Sequence, residues 1–128
     1  MSEEKPDAAP PVVLVVEDDA ILRFDATDFL EESGFSVVEA ATAADAIKVL
    51  ESRPEVRLVF TDIEMPGRIK GMDLARLVHE YWPHIRLVIT SAGPRPPQAQ
   101  IPDDGRFIAK PYTPDQITEE IADLLQKD

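Results

Sequence analysis

Apolar positions along the chain follow two rhythms that alternate. Val12-Val13-Leu14-Val15-Val16 is a continuous run, bounded by Pro10-Pro11 and by Glu17-Asp18-Asp19. That length and β-branched content predict a strand buried on both faces of a parallel sheet. Ile21, Leu22, Ala26, Phe29 and Leu30 then recur at helical spacing, with charged residues between them, and predict a helix that buries those five. Asp19 can cap its start, and Gly34 can end it in the left-handed conformation. Phe35 to Ala40 predicts a second strand. Thr42-Ala43-Ala44-Asp45 predicts a capped helix start, with Ala46, Ile47 and Leu50 inward and Pro54 as its stop.

The alternation continues. Val56 to Thr61 predicts a third strand ending at Asp62, followed by a turn at Glu64-Met65-Pro66-Gly67. A third helix is expected from about Gly71 to Tyr81, burying Met72, Leu74, Leu77, Val78 and Tyr81, with Pro83 closing it. Ile85 to Thr90 predicts a fourth strand. Between Gly93 and Gly105 stand Pro94, Pro96, Pro97 and Pro102. Each costs about 3 kcal/mol inside a helix, so no regular helix is expected there. Phe107-Ile108-Ala109 predicts a short fifth strand ended by Lys110-Pro111. Thr113, Pro114 and Gln116 read as N-cap, N1 and N3 of a last helix striped by Ile117, Ile121, Leu124 and Leu125. Strict alternation predicts βαβ units and a doubly wound α/β fold with helices on both faces of a parallel sheet. Residues 12–127 are expected to form one domain after a disordered leader, residues 1–11.

Composition narrows the function classes. A chain of 128 residues, 44% hydrophobic and 30% charged, can bury a real core as one domain. It has no cysteine, which excludes disulfides, thiolate metal sites and cysteine nucleophiles. No apolar run approaches the roughly 20 residues that span a bilayer, and the N-terminus lacks a signal-peptide core. A cytoplasmic location is expected. Asp plus Glu is 25 and Lys plus Arg 13, a net charge of −12. Such a chain repels phosphate backbones and anionic lipid, so direct binding of nucleic acid or membrane is not expected. Basic partners or divalent cations suit it. Solubility alone is the plainer reading of the charge.

Position gives the charge a use. Ligands of open parallel sheets bind beyond the carboxyl ends of the strands. Glu17, Asp18 and Asp19 follow the first predicted strand, Asp62 the third, Thr90 and Ser91 the fourth, and Lys110 the fifth. Taken singly, these are a helix cap, two turn residues and a strand terminator. Together they put several carboxylates, a hydroxyl and a cation at one edge. Crowded carboxylates ionise together only with a cation among them, and oxygen ligands with room for water suit Mg²⁺. A metal so held, with a lysine beside it, can handle a phosphoryl group.

The segments Val12 to Asp19, Leu58 to Gly67, Val88 to Ala92 and Phe107 to Tyr112, in that order and spacing, resemble the response-regulator receiver domain of two-component signalling. The resemblance implies a flavodoxin-like five-stranded parallel sheet in the order 2-1-3-4-5. It implies Asp62 as phosphoacceptor, loaded from the phosphohistidine of a histidine kinase or phosphotransfer protein. Mg²⁺ would be held by Asp18, Asp62, the backbone carbonyl of Glu64, and Glu17 directly or through water. Ser91 matches the switch hydroxyl, with Thr90 as the alternative. Lys110 matches the conserved-type lysine, before a cis bond to Pro111. Phe107 matches the aromatic switch residue. Glu64 and Gly93 occupy positions that tune hydrolysis of the aspartyl phosphate in the family.

Four departures accompany this likeness. Glu17 replaces the commoner aspartate. The turn from Asp62 to Gly71 is longer by a residue, and the interval from Ser91 to Lys110 is short. The proline-rich stretch replaces the fourth helix, so partner binding is expected on a flexible loop there or on the first and last helices. The protein is expected to act as a monomer, through a downstream protein target, by onward transfer or as a phosphate sink, with no output domain after Asp128. It is not expected to be an enzyme beyond its own phosphorylation and dephosphorylation. Two rival readings are a phosphorylation-independent interaction module of the same fold and a small Mg²⁺ phosphatase. The second rests on Asp62-Ile63-Glu64, which loosely resembles the nucleophile motif of haloacid-dehalogenase-like hydrolases. His79, His84 and Trp82 are read as surface and packing residues.

Overall fold

A computed structural model describes residues 10–64, 70–102 and 105–126. The elements are β1 (Val12–Val16), α1 (Ala20–Glu32), β2 (Ser36–Ala40), α2 (Ala43–Ser52), β3 (Val56–Asp62), α3 (Gly71–Tyr81), β4 (Arg86–Ser91), β5 (Arg106–Ala109) and α4 (Pro114–Gln126). The five strands are parallel in the order β2-β1-β3-β4-β5. The expected fold class and strand order are the observed ones.

Alternation along the strands sorts side chains onto two faces. Leu14, Val16, Val59, Leu87 and Ile89 form one core with Ala46 and Leu50 of α2 and with Leu74 and Val78 of α3. Val13, Val15, Leu58, Phe60 and Val88 form the other with Ala26 and Leu30 of α1 and with Ile117, Ile121 and Leu124 of α4. Both faces are therefore covered, as the apolar strand runs required.

Local chemistry sets the helix ends. Asp19 accepts the N–H groups of Ile21 and Leu22. Thr42 accepts from Asp45 N–H. Thr113 and Gln116 exchange reciprocal bonds, a complete capping box. Gly34, at φ +97°, closes α1: its N–H donates to Glu31 O and the Phe35 N–H to Leu30 O.

Two helices bury less than their periodicity predicted. In α1, Ile21 is 79% exposed and Leu22 is also exposed, and Phe24 shows 70% of its surface. In α3, Tyr81 is 63% exposed, while Ala75 takes the inward position. A helical stripe gives direction but not extent: Ile21 and Leu22 in the first turn of α1 and Tyr81 in the last turn of α3 stay exposed, and Phe24 lies outside the predicted stripe. Among the described residues, the segment between β4 and β5 holds only a 3-10 turn, Gln98–Gln100. The expected loss of the fourth helix stands there.

The leader, as far as Ala9, lies outside the described residues, as do Met65 to Ile69 of the long turn and Lys127 at the end of the expected domain. The carbonyl of Pro11 already accepts the Ser36 N–H of β2.

Candidate functional site

The carboxyl ends of β1, β3, β4 and β5 meet along one edge because their registers align: Val16 pairs with Thr61, Asp62 with Thr90, and Ser91 with Ala109. Asp62, the last residue of β3, is buried, with 4% of its surface exposed. Its Oδ2 accepts from Lys110 Nζ at 2.6 Å, and its Oδ1 accepts the Glu64 N–H at 2.8 Å. Lys110 Nζ also lies 3.6 Å from Glu17 Oε1. Backbone bonds fix the edge, from Ile63 N–H to Thr90 O and from Lys110 N–H to Ser91 O. The Lys110–Pro111 peptide is cis.

Glu17 is buried and accepts the Asp19 N–H, while Asp18 is exposed. Arg23 ties this corner down: Nη1 donates to the Glu17 carbonyl at 2.8 Å and Nε to Glu39 at 3.2 Å. Burial raises the Glu17 carboxyl above its ordinary range, and the Asp62 and Asp18 carboxylates add to the rise; the Asp19 N–H and Lys110 work against it. Burial also works to deprotonate Lys110, but the hydrogen bond and charge of Asp62, with the charge of Glu17, outweigh it and raise its pKa. The lysine therefore stays cationic.

One lysine thus faces two buried carboxylates, with a third, Asp18, beside Glu17. Among the described residues no three acids converge into a preformed chelate. The donor chemistry still fits a small hard cation: the groups are oxygen ligands, and Lys110 alone does not neutralise them.

The two candidate hydroxyls face opposite ways. By strand alternation, Thr90 shares the face of Asp62, Glu17 and Lys110, and Ser91 shares the face of Phe107. Thr90 Oγ1 is buried with no hydrogen-bond partner among the described residues. It lines a cavity of about 10 Å³ with Glu17, Asp62 and Tyr112. Ser91 Oγ accepts the Gly93 N–H at 2.9 Å. Phe107, half-buried, has the Arg95 guanidinium carbon 5.1 Å from its ring centroid.

Sequence reasoning gave no role to Tyr112 or Arg23. Tyr112 packs edge-on against Phe60 and Phe29, with centroids at 5.9 and 6.4 Å, so it walls the site. Its only sequence signal was adjacency to Lys110-Pro111. Tyr112 also lines an open groove of about 490 Å³ with Leu22, Asp25, Ala92, Lys110 and Pro111. His79, His84 and Trp82 lie away from this edge, beside grooves at α3 and at the amino end of β4.

Comparison with known proteins gives a consistent result. Residues 13–122 match the family model described as "Response regulator receiver domain". The chain is 34% identical over 115 residues to the C4-dicarboxylate transport transcriptional regulatory protein DctD of Rhizobium meliloti, covering 88% of this chain and 25% of that protein. It is 29% identical over 119 residues to the sensor kinase CckA of Brucella abortus, covering 90% of this chain and 12% of that one. The chain thus spans a quarter or less of the length of these two relatives. Among solved structures, a response regulator receiver protein from Sinorhizobium medicae superposes with a TM-score of 0.83 at 30% identity, covering 91% of this chain and 94% of that one.

Proposed function

The chain belongs to the response-regulator receiver family, and on that footing we propose that Asp62 accepts a phosphoryl group from the phosphohistidine of a histidine kinase or phosphotransfer protein. The observation that carries this reading is the pair Asp62–Lys110. A buried carboxylate stands at a strand end with a lysine ammonium 2.6 Å away.

In the reaction, one Asp62 oxygen attacks phosphorus. The bond from phosphorus to the donor nitrogen breaks, and the imidazole leaves with the electron pair. Lys110 orients Asp62 beforehand and offers its charge to a phosphoryl oxygen afterwards. The Glu64 N–H fixes the other carboxylate oxygen. Glu17, Asp18, Asp62 and the Glu64 carbonyl would hold Mg²⁺. When bound, that ion offsets the charge that builds on the transferring oxygens. Ser91 is the hydroxyl that turns to the new group, and Phe107, on the same face, takes up the space it leaves. Contacts present only in the phosphorylated state then shift a partner-binding surface. The partners are the phosphodonor and a downstream protein. The exposed Ile21, Leu22 and Phe24 of α1, beside the groove that contains Lys110, suit the donor.

The test is incubation with acetyl phosphate and Mg²⁺, read by intact mass. A hydroxylamine-sensitive gain of about 80 Da, absent from Asp62→Asn, is expected. Phosphate release from general monoesters without an adduct would instead support a phosphatase. No adduct at all would support a phosphorylation-independent module.

A further inference from the structure

The Glu64 side chain forms a link that the sheet does not require. Its Oε1 accepts the Ala92 N–H at 2.9 Å, across 28 residues. Its own backbone N–H donates to Asp62 Oδ1. The second carboxylate oxygen, Oε2, fills the space above Gly93: a Cβ at that glycine would stand 2.6 Å from it and 3.5 Å from Ser91 Oγ. A carboxylate thus joins the turn after β3 to the loop after β4, and the absence of a side chain at position 93 makes room for it.

The Ala92 amide is a donor already bound to an anion. It lies two residues beyond Thr90, the register partner of Asp62, and lines the same groove as Lys110. A phosphoryl group on Asp62 brings a charge of nearly −2 to this edge. That group and the Glu64 carboxylate repel each other, and one N–H cannot serve both.

We propose that the Glu64 carboxylate is the resting occupant of the Ala92 amide, a clasp between the two loops that a phosphoryl group on Asp62 opens. The inference rests on the phosphoacceptor reading and adds a role for this side chain beyond the backbone carbonyl. At rest the clasp holds the site closed to anions. On phosphorylation the phosphoryl oxygen takes the amide, Glu64 swings to solvent, and the proline-rich segment that begins at Gly93 loses its tie to β3. With acetyl phosphate as donor, Asp62 oxygen attacks phosphorus, the bond to the bridging oxygen breaks, and acetate leaves with the electron pair. Glu64 is a positioning residue and takes no part in bond making.

The experiment measures labelling rate against acetyl phosphate concentration, with Mg²⁺, for the wild type, Glu64→Gln, Gly93→Ala and the double variant. Hydrogen exchange of the Ala92 amide is followed by NMR in the unphosphorylated proteins. Glutamine keeps the acceptor without the charge; a Cβ at 93 evicts the carboxylate. Each single variant should lower the half-saturating concentration about three- to tenfold, the size expected for one charge facing a doubly charged group under water-like screening. The double variant should gain no more than the stronger single, because both remove the same anion from the Ala92 amide, one by neutralising it and the other by evicting it. Ala92 should be protected in the wild type and in Glu64→Gln but not in Gly93→Ala. A labelled wild type with Glu64→Gln unchanged, additive gains in the double variant, or a freely exchanging Ala92 in the wild type overturns the clasp and leaves the phosphoacceptor reading intact. A wild type that takes no label overturns that reading, and the clasp with it.

Discussion

Lys110 holds two buried carboxylates, and removing it separates its electrostatic role from its packing role. In Lys110→Met, Asp62 and Glu17 are left facing each other with no ammonium between them. Uncompensated buried charge of this kind costs about 1–3 kcal/mol. Urea unfolding should show that loss, and Mg²⁺ should restore part of it while labelling of Asp62 stays suppressed. Glu17 gives the opposite sign. Burial raises its folded-state pKa above the ordinary 4.5, so the folded protein binds the proton more tightly than the unfolded chain. Its contribution is fully present below pH 4.5 and lost as pH rises through the folded value. Glu17→Gln should therefore melt higher than the wild type at pH 7 without metal, and the difference should close below pH 4.5. Added Mg²⁺ should raise the wild-type melting temperature more than that of the variant.

The acids and the lysine were legible in the chain because each stands at or just past a strand end that the sequence marks. Which face Thr90 and Ser91 each take was not, because it depends on the phase of alternation in β4, which only the sheet register fixes. Tyr112 was silent for a similar reason: its partners, Phe29 and Phe60, come from distant elements.

At the scale of elements, caps and stops were the most readable features, since Asp19, Thr42, Thr113 and Gly34 act on neighbours in sequence. Burial at helix ends was not readable, because it depends on how far the sheet reaches beneath each helix. That leaves Ile21 and Leu22 exposed, beside Phe24, which the stripe did not include. Phe24→Ala should change stability by less than about 0.5 kcal/mol, as expected of a surface site. If α1 receives the phosphodonor, the same variant should slow transfer from a phosphorylated donor about fivefold or more, a hot-spot cost above 1 kcal/mol. Labelling by acetyl phosphate, which docks no protein, should be unaffected. The start of α3 is the reverse case. A Cβ on Gly71 would stand 2.3 Å from Ile63 Cα and 2.4 Å from Asp62 O. Backbone cannot yield as a side chain can, so Gly71→Ala should cost about 1–3 kcal/mol in denaturant unfolding and displace the end of β3 that carries Asp62.

For the molecule as a whole, two apolar cores clamp a sheet whose polar business is confined to one edge. The β-branched runs specified that sheet, and covered faces on both sides leave the strand ends as the place for chemistry. The departure in the proline-rich segment was equally plain in sequence, because proline excludes a helix whatever packs around it. The net charge of −12 makes a cation the natural companion of the acidic edge, yet leaves open which carboxylate reacts. The most direct test is to locate the bond. After acetyl phosphate treatment with Mg²⁺, borohydride reduces an acyl phosphate to an alcohol and leaves homoserine at the modified aspartate. Peptide mass mapping should find homoserine at position 62. Homoserine at another acid with Asp62 unchanged, or none in a protein that carries the adduct, would contradict the assignment.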